Sequence, residues 1–280
     1  MIGIHLAHDR PEAVAAAADF VSLAVAAGLE VAACDADGAT ALGLGEFDGP
    51  LSSVVAVGGD GTVLAGASYA HDHGAPVVGI NVGRVGFLAE VEPDMLDALV
   101  ELLLIDEPPV APRMSIEAIV AGSTSIGLND VVVQKTEGQY MIGVDVLVDG
   151  ERFLTYRADG VVLSTPTGSS AYTLSAGGPL VDPRLAAFVI TPVAPYSLFR
   201  SSVALEPSVT IRCRVIHERP ASVAVDGREL AVLAPGESFE IRRGPDVPFI
   251  DVTGRSYPQT LKRKLRLHEG LDGVLGEHRP

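Results

Sequence analysis

The run Val54-Val55-Ala56-Val57-Gly58-Gly59-Asp60-Gly61-Thr62 sets an apolar, strand-like segment against three glycines, with a helical pattern directly after it. Such a junction aims successive backbone N–H groups, and the positive end of a helix dipole, at one point, which suits a polyanion such as a phosphate chain. Glycines let a bulky anion approach the backbone closely. Asp60 is the discordant member, because a carboxylate repels phosphate. It makes chemical sense as a general base that takes a proton from a hydroxyl, or beside a divalent metal, with magnesium the first choice, that inverts the local charge logic. The plainer reading is a glycine-rich turn with a capping aspartate. A Walker-type P-loop is excluded, since its lysine is missing.

A second constellation is the long run from Asp159 to Pro179, which contains Ser164-Thr165-Pro166-Thr167-Gly168-Ser169-Ser170-Ala171-Tyr172-Thr173-Leu174-Ser175. It reads as a strand ending in a hydroxyl-rich turn around Pro166 and Gly168. Ser169, Ser170 and Tyr172 can donate and accept hydrogen bonds to ribose and phosphate oxygens. The bland alternative is a tight Ser/Thr-rich loop.

The elements that must position these groups change character along the chain. Up to about residue 104, strand signals (2–7, 29–34, 53–57, 77–80) alternate with helical ones. The first helix has Asp9 as its expected N-cap, Pro11 in its first turn and Gly28 as its stop; others span about 61–71 and 93–104. Alternation of this kind predicts a parallel sheet covered on both faces. Pro108, Pro109 and Pro112 mark a boundary. Beyond it, short β-rich runs recur at 115–121, 130–133, 141–148, 160–164, 188–191, 209–216, 222–225 and 239–242, punctuated by Asp149-Gly150 and Asp226-Gly227. The expected architecture is an α/β N-terminal domain with a parallel sheet over 1–108, an all-β domain over 109–256, and a tail over 257–280 with a short basic helix near 260–267.

Bulk properties narrow the function classes. The 280 residues are 48% hydrophobic with mean hydropathy +0.32, enough for a sizeable core. No run approaches the roughly 20 apolar residues of a membrane span, and Met1 to Leu6 has no signal-peptide pattern, so a cytoplasmic protein is expected. Cys34 and Cys213 have no metal or redox spacing. The net charge is −16, with Lys135, Lys262 and Lys264 the only lysines, which argues against nucleic-acid binding. A phosphate-bearing small molecule stays compatible, held by backbone amides, a metal and a few arginines.

The Gly-Gly-Asp-Gly-Thr junction resembles that of the NAD kinase family and of its relatives, the diacylglycerol and sphingosine lipid kinases. The 159–179 run is similar to the most characteristic stretch of NAD kinases and chooses among them. Asn81-Val82-Gly83-Arg84-Val85-Gly86-Phe87-Leu88-Ala89-Glu90, Leu128-Asn129-Asp130 and Val225-Asp226-Gly227 resemble further segments of that family. The resemblance runs from about Val54 to the tail, and extends weakly over the first strand and helix.

The resemblance implies phosphoryl transfer from ATP or polyphosphate, with a divalent metal, to the adenosine-ribose 2′-hydroxyl of NAD, giving NADP. NAD would lie between the domains with its 2′-hydroxyl near Asp60. In that reading Asp60 is the proton acceptor and Gly61 lines the site beside it. Phe87 packs near adenine, and Asn129 and Asp130 hold ribose hydroxyls. Arg157 and Asp159 border the same pocket; Ser170, Ala171, Tyr172, Thr173, Leu174 and Ser175 contact NAD; Ala194 lines a base. The family also implies a homo-oligomer, a dimer or tetramer. Alternatives are a lipid kinase of the same superfamily and a non-catalytic NAD(P)-binding regulatory paralogue. The chain departs from the family at several points. Asp130 stands for the common Glu, Ser170 for Thr, Tyr196 for a frequent His and Arg228 for an amide. No Arg-Pro pair follows near Leu198. Ala65 stands where a basic residue is frequent, with Arg84 the substitute considered.

Overall fold

The structure, a computed structural model, describes every residue except 84, 85, 137, 139, 197, 198, 217 and 266–280. It divides into two compact units, residues 1–111 with 248–280, and 112–247. The first unit alternates β1 (Ile2–Leu6), α1 (Pro11–Ala26), β2 (Val31–Ala33), α2 (Ala36–Leu42), β3 (Ser53–Gly58), α3 (Asp60–Asp72), β4 (Val77–Asn81) and α4 (Leu96–Leu103), and leaves along β5 (Val110–Arg113). Helix α1 starts at Pro11, with Arg10 as an extended N-cap that makes no side-chain capping bond. Asp9 is therefore not the cap: proline has the fixed φ of a first helical position and holds the residue before it extended. The helix packs Ala13, Ala16, Ala17, Phe20 and Ala24 into the core with strand residues such as Ile4 and Val55.

The second unit holds β6 (Ile116–Val120), β7 (Ser123–Gly127), β8 (Asp130–Lys135), β9 (Ile142–Val148), β10 (Glu151–Ala158), β11 (Gly160–Ser164), the one-turn α5 (Tyr172–Ser175), β12 (Phe188–Val193), β13 (Val203–Leu205), β14 (Ile211–Val215), β15 (Ala221–Val225), β16 (Arg228–Leu233) and β17 (Ser238–Arg243). They form two antiparallel sheets, ordered β10-β9-β14-β17-β6-β7 and β13-β12-β11-β8-β15-β16. One core joins them, with Tyr156, Cys213 and Phe239 from the first and Val131, Leu163, Phe188 and Val223 from the second. Strand β14 shows the period-two pattern of a half-buried strand: Ile211, Cys213 and Val215 point in, Arg212 and Arg214 out.

The chain then returns to the first unit as β18 (Val247–Ile250), which lies parallel to β4 and completes the order β2-β1-β3-β4-β18-β5, and ends its described part in α6 (Tyr257–Lys264). Sequence reasoning had kept residues 109–256 together. In the structure the return of the chain at Val247 assigns 248–256 to the first unit. Among the described residues, no helix is long and apolar enough to cross a membrane.

Candidate functional site

In the first unit, β3 is buried along its whole length and delivers Gly58 and Gly59 to the start of α3. Close packing dictates the glycines. A Cβ on Gly58 would strike Thr62, one on Gly66 would lie 2.8 Å from the Ala56 Cβ, and one on Gly79 would meet Val63 Cγ2 at 2.7 Å. These contacts seat α3 directly on β3 and β4.

Asp60 is the first residue of α3, but its carboxylate does not cap that helix. It reaches the segment after β4. Phe87 N donates to Oδ2 at 2.7 Å, and Leu88 N and Ala89 N donate to Oδ1 at 2.8 and 3.4 Å. Gly86 makes this possible, because a Cβ there would overlap Oδ1 and lie 2.6 Å from the Asp60 Cγ. A carboxylate offers about four acceptor positions; the three bonds leave one of them, on Oδ2. Phe87 is half-buried, with the Lys264 ammonium 5.0 Å from its ring centre. Gly61 has open space on its Cα. Arg84 lies outside the described residues.

In the second unit, three segments meet at one end of the second sheet. Antiparallel pairing sets Ser164, the end of β11, opposite Asp130, the start of β8, and Val225, the end of β15, opposite Val131. Asp226 then accepts from Leu128 N at 2.7 Å, Asn129 N at 2.8 Å and Asp130 N at 3.0 Å. From the other side, Thr165 N donates to Asn129 O at 2.9 Å and Thr165 Oγ1 to Leu128 O at 2.6 Å. Asn129 is thereby fixed through its backbone, with a half-buried side chain. The sequence marks Asp226 as a turn residue in a segment that resembles the family but does not show this bracing role, for which an Asp-Gly turn is the only local signal.

The hydroxyl-rich segment divides. Thr173 is fully buried and bonds Ser164 Oγ at 2.8 Å; Ser169 bonds Pro166 O at 2.6 Å and receives Val181 N at 2.9 Å. Those hydroxyls hold the loop. Ser170, Ala171 and Leu174 are half-buried, and Tyr172 and Ser175 exposed, so these lie at the surface of the loop. Arg157, Asp159 and Ala194 are not brought to this end. Asp159 N bonds Val193 O at 3.0 Å, its carboxylate pairs with Lys135 at 2.9 Å, and Ala194, at φ 45°, follows β12. Arg157, the last residue but one of β10, is exposed. The length of β11, on the order of 16 Å at about 3.3 Å per residue, separates the two groups.

Asp130 is 5% exposed, and burial, then the Asp226 charge, push its carboxyl up to about 7. Burial also raises Asp226, but three backbone N–H groups oppose that. The proton of the pair therefore sits on Asp130. Its folded pKa exceeds the unfolded one, so its contribution to stability is full below about pH 4 and lost as pH rises through about 7. Relative to Asp130→Asn, which stays neutral, the wild type should lose stability between about pH 4 and pH 7 and level off above that. Urea midpoints of both proteins across that range check this, and a constant difference would refute it.

Comparison with known proteins agrees with both halves. Residues 8–107 match the ATP-NAD kinase N-terminal domain, and residues 128–250 the ATP-NAD kinase C-terminal domain. The chain is 38% identical over 221 residues to the NAD kinase of Sulfurimonas denitrificans, covering 77% of this chain and 78% of that protein. It is 39% identical over 197 residues to NAD kinase 2 of Streptomyces coelicolor, covering 68% of this chain and 65% of the relative. The crystal structure of a yeast NADH kinase complexed with NADH superposes with a TM-score of 0.85 at 23% identity, over 96% of this chain and 88% of that one, which is a likeness of fold.

Proposed function

The chain belongs to the NAD kinase family, and from that premise we propose that it transfers the terminal phosphoryl group of ATP to the 2′-hydroxyl of the adenosine ribose of NAD, giving NADP. Inorganic polyphosphate is the second donor to consider. The observation that carries the reading is the pairing of two cradles in one chain: a glycine turn with a carboxylate in the first unit, and a braced Asn129-Asp130 pair beside a hydroxyl-rich loop in the second.

In this mechanism the Gly58–Gly61 turn receives the donor phosphates. Asp60 accepts the hydroxyl proton on Oδ2, the oxygen that keeps an open position, while the amides of residues 87–89 fix its orientation. Asn129 and Asp130 hold ribose hydroxyls, with Asp130 able to donate while protonated. Ser170, Tyr172 and Ser175 add polar contacts at the rim. Such a reaction asks the protein mainly for positioning and charge neutralisation. Among the described residues no group of three His, Cys, Asp or Glu side chains could hold a metal ion. A divalent ion such as magnesium would supply charge neutralisation on the donor phosphates, and no step here runs through it.

The remote group at Arg157, Asp159 and Ala194 supports a homo-oligomer, in which a second copy presents that group to the first. Both cysteines are free thiols, which fits the reducing cytoplasm. The test is NADP formation by the purified protein from ATP, Mg²⁺ and NAD, read by a coupled dehydrogenase. No NADP, with NAD still bound, would favour a regulatory paralogue over an enzyme; sedimentation equilibrium of the same sample as a pure monomer would remove the oligomer.

A further inference from the structure

The guanidinium of Arg10 lies against the Gly58–Gly61 turn, and we propose that it is the side chain that grips the phosphoanhydride chain of the donor. The proposal rests on the reading of that turn as the donor cradle. The turn needs a cation, because Ala65 offers none one helical turn on. Arg10 comes from the loop between β1 and α1, a part of the chain with no recognisable phosphate motif.

The backbone fixes its place. Ala7 N donates to Val57 O at 3.1 Å and Arg10 N to Ala7 O at 3.0 Å, so the loop folds back beside the end of β3. Nη2 of Arg10 donates to Val82 O at 3.2 Å, and Val82 N donates to Gly58 O at 3.1 Å. Two glycines border the guanidinium. A Cβ on Gly83, where φ is +101°, would stand 2.9 Å from Nη2, and one on Gly59 would stand 4.0 Å from Nη1. The absence of side chains on both keeps the guanidinium against the backbone of the turn.

Its chemistry is unspent. A guanidinium carries five N–H donors in a fixed fork, and Arg10 uses one of them on Val82 O. It is half-buried, and among the described residues no carboxylate pairs with it. That is notable in a chain with 36 acidic and 20 basic residues. Asp60, the acid of the same turn, gives its acceptors to the amides of residues 87–89 instead. A half-buried fork with free donors and no acid partner, next to exposed glycine backbone, matches the bidentate geometry of a phosphate group.

The test compares wild type, Arg10→Gln and Arg10→Lys with ATP, tripolyphosphate and NAD. Arg10→Gln should raise the donor KM and weaken calorimetric binding of tripolyphosphate by about ten- to a hundredfold, the range of a charge-assisted contact, while the NAD KM and thermal midpoint stay put. Arg10→Lys, with charge but no fork, should fall between. Unchanged binding of tripolyphosphate to Arg10→Gln overturns the proposal, as does an equal rise in donor and NAD KM, which marks a merely structural role. A loss with ATP alone overturns it too, since the nucleoside would then be what Arg10 reads. Tripolyphosphate binding is measured without turnover, so it judges Arg10 even where the wild type forms no NADP and the kinase reading itself fails.

Discussion

Asp60→Asn should lose at least about a hundredfold in turnover at saturating substrates, the low end of what general-base catalysis supplies. The structure adds a second consequence. The carboxylate anchors Phe87, Leu88 and Ala89 through their amides, and an amide side chain has a single acceptor oxygen. Its NH2 group must turn toward one of those donors, leaving at least one N–H without a partner at about 1–3 kcal/mol. Hydrogen exchange at residues 87–89 should therefore quicken along with the loss of turnover. The two readouts separate the two roles. A variant that keeps more than half of wild-type turnover shows that Asp60 is not the base. Unchanged exchange at 87–89 shows that it is not the anchor.

Much of this arrangement was legible in the residues, and the part that was not has a common cause. Strand, glycines and helix around Asp60 follow from local pattern, because apolar period and punctuation are properties of neighbours in sequence. Strand β18 was missed for the opposite reason. Val247–Ile250 is four residues long and follows directly on antiparallel β-structure; its place comes from distant neighbours, β4 some 170 residues earlier and β5 on its other side. Helix α2 was missed because it is short and contains Gly38, a poor helix former. Strand β5 hides in a proline-rich segment, which an edge position tolerates. At the site, residue types announced hydrogen bonding but not its direction. Thr173 and Ser169 turn inward while Tyr172 and Ser175 face out, and bonds to Ser164, Pro166 and Val181 mark the inward pair. Arg157, Asp159 and Ala194 show the same limit: the first two precede Gly160 directly and the pairing of Gly160 with Val193 brings Ala194 beside them, at the far end of β11 from Ser164.

Gly168→Ala should be the most damaging single methyl in the second unit. A Cβ at Gly168 would overlap the Asn129 carbonyl and lie 2.7 Å from the Asn129 Cα. All of the obstructing atoms are backbone, so no rotamer change relieves them. Either the turn moves away, breaking the Thr165 N to Asn129 O and Thr165 Oγ1 to Leu128 O bonds, or the 128–130 segment moves and strains its three bonds to Asp226. Overpacking of this kind costs about 1–3 kcal/mol, which for a chain of this size is a fall of several degrees in the thermal midpoint. The loss in NAD affinity should be larger than that stability loss suggests, because the displaced atoms are those that aim Asn129 and Asp130. Gly45→Ala, where nothing lies within 4 Å of the added methyl, is the control and should change neither quantity. A Gly168→Ala protein with the wild-type melting point and NAD KM would mean that the turn and the Asn129 backbone are not in contact in solution. The account of the second cradle would then have to be rebuilt around Asp226 alone.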